Sequence, residues 1–143
     1  MKHFLLIAFA PAVLLAHDAH GRSNAPAEAR RLKNPVARSD AALVSAKAKY
    51  EAFCANCHGG DGRSRTKVAG AMPVRPTDLS NYLMESMKDG EIYWVIANGI
   101  DQRMPAFASK LAETERWELV HYVRQLRDTQ RAVERSQLGP YEW

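Results

Sequence analysis

The chain has 143 residues, with 20 lysines and arginines against 16 aspartates and glutamates, and its formal net charge is +4. This length accommodates one domain with extensions. The mildly basic balance suits an acidic protein partner or an anionic membrane surface. Nucleic acid is a poor candidate partner, because basic and aromatic residues do not interleave and no nucleic-acid-binding motif is recognisable.

The first residues have the pattern of a secretory signal. A short basic stretch precedes an apolar run over residues 4–16, which is shorter than the roughly 20 residues that span a bilayer as a helix. Ala19-His20-Gly21 then offers a small-x-small cleavage site. We expect residues 1–21 to be a signal peptide that directs the protein to the periplasm, with an uncleaved anchor as the alternative. The mature chain is expected to have no transmembrane segment.

Residues 22–39 are predicted to form a flexible tether. Prolines and asparagines interrupt regular structure there, and several arginines and lysines keep the segment solvated. A first helix is expected to begin at Ser39 or Asp40, either of which can cap it, and to end near Cys54. Four residues give this helix an apolar face at helical spacing: Leu43, Ala46, Tyr50 and Phe53.

The sequence Cys54-Ala55-Asn56-Cys57-His58 follows and contains both cysteines of the chain. C-x-x-C-H is the attachment site of c-type haem, in which both thiols bond to the haem and the histidine ligates the iron. A disulfide or a thioredoxin-like redox pair is the alternative, but the strand-helix pattern of a thioredoxin fold is missing around the motif. We therefore predict one covalently bound haem c, with Cys54 and Cys57 as attachment points and His58 as an iron ligand.

The segment after this motif is predicted to be irregular. Gly59, Gly60 and Gly62 stop the helix and let the backbone pass close to a flat ligand. Residues 63–77 are expected to lack helix, because Pro73 and Pro76 are incompatible with a helix interior.

Three further helices are predicted in the second half of the chain. The first covers residues 79–87, and the second runs from Lys88 or Asp89 to residue 97, with Gly99 just beyond its end. The last covers residues 114–127 and has a clear apolar stripe. The residues after Asp128 are predicted either to prolong this helix or to lie over the surface.

Met104 is the preferred second ligand of the iron. It lies in a loop after Gly99, and Pro105 pushes it towards an extended conformation that suits a side chain held out to a metal. The other methionines of the mature chain are less suitable: Met72 lies in the proline segment, and Met84 and Met87 have the spacing of core residues. His121, on the last helix, is the competing imidazole.

Several spaced motifs together resemble the monohaem class I cytochromes c of bacteria. They are Tyr50-x-x-x-Cys54-Ala55-x-Cys57-His58-Gly59, Arg75-Pro76-Thr77-Asp78-Leu79, Ile96-x-x-Gly99-Ile100-x-x-x-Met104-Pro105-x-Phe107 and Trp117-x-Leu119-Val120-x-Tyr122-Val123. The resemblance implies an all-α, cytochrome c-like fold over residues 40–128, followed by a tail over residues 129–143. It also implies that the N- and C-terminal helices cross and pack, with Ala46 where a smaller glycine is often found.

The resemblance further implies a set of residues around the haem. A proline carbonyl accepts a hydrogen bond from the proximal histidine in this family, and Pro73 or Pro76 would have that role here. Arg75, Tyr93 and Trp94 are candidates for contact with the haem edge or its propionates.

Ligation by His58 and Met104 leaves iron no open position, so the sequence predicts an electron-transfer protein and not an enzyme. Its partners would be periplasmic or membrane-bound redox proteins, docked by an acidic surface onto four cations: Arg63, Arg65, Lys67 and Arg103. The protein is expected to be a monomer or a complex subunit. The alternatives are a haem relay subunit of a larger oxidase or dehydrogenase and, less favoured, a haem protein whose sixth ligand is displaced by a gas or peroxide.

Overall fold

The computed structural model describes residues 25–138. Within this range the chain forms α-helices and no β-strand, apart from one isolated bridge between Ile100 and Met104. The helices are α1 (Asp40–Phe53), α2 (Ala55–His58), α3 (Lys67–Ala71), α4 (Leu83–Ser86), α5 (Asp89–Asn98) and α6 (Glu113–Gln137), preceded by a 3-10 turn at Ala29–Arg31. The predicted all-α fold is confirmed.

Helix α1 begins and packs as the sequence predicts. Ser39 caps it, since its hydroxyl oxygen accepts a hydrogen bond from the backbone N–H of Ala42 at 3.2 Å. The helix packs against α6, where the rings of Tyr50 and Tyr122 lie 5.0 Å apart between centroids. Ala46 is completely buried, so the crossing of the two terminal helices accommodates an alanine.

Helices α3 and α4 differ from the predictions. The segment expected to be irregular contains α3, which is capped by the Thr66 hydroxyl accepting from the N–H of Ala69 at 3.0 Å. Helix α4 begins four residues later than predicted. The carboxylate of Asp78 accepts from the N–H of Ser80 at 2.8 Å, and this turn replaces the first helical turn.

Helix α5 begins and ends close to the predicted positions, whereas α6 extends ten residues beyond its predicted end. The extension is fixed to the domain through Arg127, whose side chain is buried. Its guanidinium bonds to Glu134 at 3.0 Å on the extension and to Glu85 at 2.9 Å on α4. Of the two possibilities considered for the residues after Asp128, the described part prolongs the helix.

The segment expected to be a flexible tether packs against the domain over its described residues. The 3-10 turn approaches α5 so closely that a Cβ at Gly90 would lie 1.9 Å from the carbonyl oxygen of Ala29. Arg30 pairs with the buried carboxylate of Glu91 at 3.3 Å. Because Gly90 has no Cβ, the 3-10 turn can pack directly against α5 at this position.

No helix among residues 25–138 is both long enough and apolar enough to cross a membrane. The predicted signal peptide lies outside the described residues.

Candidate haem site

One largely apolar cavity of about 370 Å³ brings together the four residues that the sequence predicts to attach the haem or to ligate its iron. Cys54, Cys57, His58 and Met104 all line it. Most of the remaining wall is aliphatic, aromatic or methionine, contributed by α1, α5, α6 and the loops between them. The size and apolar lining are those of a ligand or cofactor cavity.

The haem motif forms a tight turn at the end of α1. The N–H groups of Cys57 and His58 both donate to the carbonyl of Cys54, at 3.1 and 2.9 Å. The buried hydroxyl of Tyr50 donates to the carbonyl of Gly59 at 2.7 Å, which ties the end of the motif back to α1. Burial raises the pKa of Tyr50, so this hydroxyl remains a donor at neutral pH.

The His58 ring is oriented by one backbone carbonyl. Its Nδ1 lies 3.0 Å from the carbonyl oxygen of Thr77. Because a carbonyl can only accept, Nδ1 carries the proton and the other ring nitrogen keeps its lone pair for a metal. Burial lowers the pKa of His58, with the Thr77 carbonyl opposing that effect, and a neutral imidazole is the form that ligates iron.

The identity of this acceptor corrects the expectation of a proline carbonyl. Pro76 lines the cavity, but the carbonyl that meets Nδ1 belongs to the next residue, Thr77, while Pro73 is not part of the lining. The hydroxyl of the buried Ser64 also donates to the Thr77 carbonyl, at 2.9 Å. Thr77 is therefore the residue whose carbonyl is held in place beside the ring.

Both thiols stand at the cavity wall in partly buried positions. Burial, with a smaller effect of Cys57, raises the pKa of the Cys54 thiol to about 11. Cys54 is therefore protonated at neutral pH in the haem-free protein, which makes it a poor nucleophile towards other thiols.

The loop that carries Met104 is fixed by its own backbone. The N–H groups of Ile100 and Met104 each donate to the other's carbonyl, at 2.9 and 3.1 Å. Gly99 has a φ of 72°, and a Cβ there would lie 2.4 Å from the Met104 carbonyl oxygen, so the close approach requires glycine. Met72, Met84 and Met87 also line the cavity.

The residues predicted to surround the haem divide into two groups. Arg75 lines the cavity, whereas Tyr93 and Trp94 do not. Tyr93 instead stacks on Trp117 with centroids 4.0 Å apart, because α5 turns that side chain towards α6. His121 is also away from the cavity, with its Nε2 lying 2.7 Å from the carbonyl oxygen of Val36.

Three residues that position the site were not identified from the sequence. Ser64 holds the Thr77 carbonyl, as described above, although nothing in the local pattern distinguishes it from a loop serine. Arg124 on α6 donates to the carbonyls of Met84 and Met87, at 2.5 and 2.6 Å. The sequence places Tyr50 on the apolar face of the first helix and in the family resemblance, but it does not predict the hydrogen bond to Gly59.

Comparison with known proteins also points to the cytochromes c. Residues 41–123 match the family described as Cytochrome C oxidase, cbb3-type, subunit III. The structure resembles a chain of the Kuenenia stuttgartiensis reducing HAO-like protein complex Kustc0457/Kustc0458, with a TM-score of 0.55 and 26% identity over 66% of this chain and 49% of that one. It also resembles the KustC0563 c-type cytochrome, with a TM-score of 0.52 and 26% identity over 57% of this chain and 96% of that one.

The fold, the cavity and these similarities define a c-type cytochrome, a class of protein that binds haem c covalently. The family match covers more than half of the chain, so the protein belongs to the cytochrome c family described as Cytochrome C oxidase, cbb3-type, subunit III. The matched part spans about half the length of the chain from the Kuenenia complex. No curated protein matches the sequence.

Proposed function

We propose that this protein carries one electron at a time between redox partners in the periplasm, and that His58 and Met104 would ligate the iron of a bound haem c. The observation that carries the proposal is that both of these side chains and both thiols line one cavity. When bound, haem c supplies an iron that alternates between the ferrous and ferric states.

The residues of the chain make this site suited to electron transfer. The Thr77 carbonyl fixes the protonated nitrogen of His58, and the Ile100–Met104 pairing fixes the opposite loop. If His58 and Met104 both ligated the iron, they would leave no ligand position for oxygen or peroxide, so the protein itself would transform no substrate. The apolar wall would disfavour the additional charge of an oxidised haem, and the Met104 thioether would favour the reduced iron, so both would raise the reduction potential.

The periplasmic location is part of the proposal. It is supported by the predicted signal peptide at residues 1–21 and by the haem motif, because haem is attached to c-type cytochromes outside the cytoplasm. The cleaved protein should be recovered from the periplasmic fraction with haem bound. Recovery with the membrane and an intact N-terminus would support the uncleaved anchor instead.

The visible spectrum of the haem-loaded protein tests the proposed ligation. We expect a low-spin spectrum in both oxidation states, haem that remains attached after denaturation, and no change when carbon monoxide is added to the reduced protein. A high-spin spectrum or rapid carbon monoxide binding would mean an open iron and would favour a gas- or peroxide-binding protein.

A haem relay subunit of a larger oxidase or dehydrogenase is the second candidate. It is supported by the family description, which names an oxidase subunit, and by the similarity to a chain of a redox complex. Size-exclusion chromatography of a native extract distinguishes the two. A free carrier elutes at the mass of one chain, whereas a relay subunit elutes with its complex.

Cations at the cavity are the proposed docking site for an acidic partner. Arg75 and Arg103 are exposed and line the haem cavity, whereas Arg63 and Arg65 line a separate polar cavity of about 150 Å³. Reversal of Arg75 and Arg103 to glutamate should slow electron transfer several-fold at low ionic strength and less at high ionic strength. Reversal of Arg65 and Lys67 is the control with the same charge change, and equal slowing by both pairs would contradict this docking site.

A further inference from the structure

Ser64 has a backbone conformation that is unfavourable for its residue type. Its φ is 55°, in the left-handed region that favours glycine, and the residue is only 1% exposed. Serine therefore occupies a buried position at which glycine would adopt the same backbone conformation with less strain. Strained residues of this kind persist where the surrounding structure holds them, and they concentrate at functional sites.

The bonds of Ser64 all converge on His58 and its hydrogen-bond acceptor. The backbone N–H of Ser64 donates to the carbonyl of His58 at 2.7 Å. Its hydroxyl donates to the carbonyl of Thr77 at 2.9 Å, the same oxygen that accepts from Nδ1 of His58 at 3.0 Å. The backbone of Ser64 thus holds the backbone of His58. Its side chain holds the Thr77 carbonyl that accepts from the His58 ring.

We propose that Ser64 is a positioning residue that tunes the iron ligand His58 through the shared carbonyl of Thr77, an inference that rests on His58 being the ligand. A carbonyl oxygen that accepts two hydrogen bonds divides its negative charge between two donors. The Ser64 hydroxyl therefore weakens the hydrogen bond that the Nδ1–H of His58 donates to the same oxygen. A less strongly polarised imidazole donates less electron density to the iron, which favours the reduced state.

Replacement of Ser64 by glycine and by alanine separates this role from a structural one. Ser64→Gly removes the hydroxyl but also relieves the backbone strain, which offsets part of the lost hydrogen bond, so the variant should remain folded. Ser64→Ala removes the hydroxyl and retains the strain. Ser80→Ala is the matched control, because Ser80 is similarly enclosed, at 3% exposure, but its hydroxyl donates to Asp78 and the residue does not line the haem cavity.

The measurements are the reduction potential of the haem-loaded protein and the proton resonance of His58 Nδ1–H in the reduced state. Both Ser64 variants should lower the potential by a similar amount and move the Nδ1–H resonance downfield, whatever the sign of their stability change. Ser80→Ala should change neither. An unchanged or raised potential in Ser64→Gly, or an equal shift in Ser80→Ala, would overturn the proposal.

These measurements use the isolated protein, so they do not depend on the identity of the redox partners. If the parent protein lacks histidine ligation altogether, its spectrum shows this before any variant is compared. A failure of the proposed function is thereby distinguishable from a failure of the Ser64 inference.

Discussion

Two walls of the haem cavity are held in different ways. The motif wall, formed by Cys54, Cys57, His58 and Thr77, is fixed by hydrogen bonds between residues less than 20 positions apart. The methionine wall, formed by Met84, Met87 and Met104, depends in part on α6, since Arg124 reaches the carbonyls of Met84 and Met87 from 40 and 37 residues away. Bonds within 20 residues hold the motif wall and the Met104 loop, whereas bonds from α6 hold the Met84 and Met87 part of the facing wall.

Arg124 explains how the short helix α4 is kept in position. The final carbonyls of a helix have no partner within it, and a helix of four residues cannot stabilise itself. The planar guanidinium offers several donors in a fixed arrangement, and besides the two carbonyls it binds Asp89, the first residue of α5, at 2.7 Å. The methionine wall is therefore attached to α6 at the corner between α4 and α5.

Removal of the Met104 side chain should have the largest effect and tests which residue of the methionine wall reaches the iron. We expect Met104→Ala to lose the sulfur-to-iron absorption band and to lower the reduction potential by on the order of 0.1 V or more, given the ~0.8 V range that axial ligands set. Met87→Leu is the control, because it retains an apolar side chain at the same wall. If the band persists in Met104→Ala and disappears in Met87→Leu, the assignment of the ligand is wrong.

Loss of the Arg124 hydrogen bonds to Met84, Met87 and Asp89 should weaken the methionine wall while leaving the motif wall intact. Arg124→Met leaves two carbonyls and one carboxylate without their partner, and we expect the free energy of unfolding to fall by about 2 kcal/mol, since the side chain is 24% exposed and partly solvated. Chemical denaturation measures this. Arg131→Met, whose ion pairs are about half exposed, should change stability by less than about 0.5 kcal/mol. An equal fall in the free energy of unfolding in both variants would contradict the view that Arg124 holds the methionine wall.

Loss of the Tyr50 hydroxyl should produce the smallest effect, confined to the motif wall. Tyr50→Phe leaves the carbonyl of Gly59 without its buried donor, and we expect stability to fall by about 1 kcal/mol. Tyr122→Phe is the control, because among residues 25–138 its hydroxyl has no hydrogen-bond partner, while its ring packs on Tyr50. Denaturation curves that coincide for Tyr50→Phe and the parent would show that the motif turn does not need this bond.

The parts of the site that could be predicted are those with a short-range cause. The C-x-x-C-H spacing, the cap at Ser39 and the Met104-Pro105 loop each depend on a few adjacent residues, and the structure places these side chains at one cavity or at the predicted helix start. Helix α3 was missed because its five residues lie between glycines and prolines, and the turn is held by the Thr66 cap and by the burial of Ala69 against its surroundings.

The sequence by itself determined the class of cofactor and the helical character of the domain, and it predicts the residues that would attach the haem, because these follow from residue chemistry and from periodicity along one segment. Only the tertiary structure decided that Thr77 accepts from His58, that Tyr93 faces Trp117 and that α6 continues to Gln137. Each of these depends on which distant groups come within hydrogen-bonding or van der Waals distance. That information lies in the packing of α6 and the loops, which no local pattern of residues encodes.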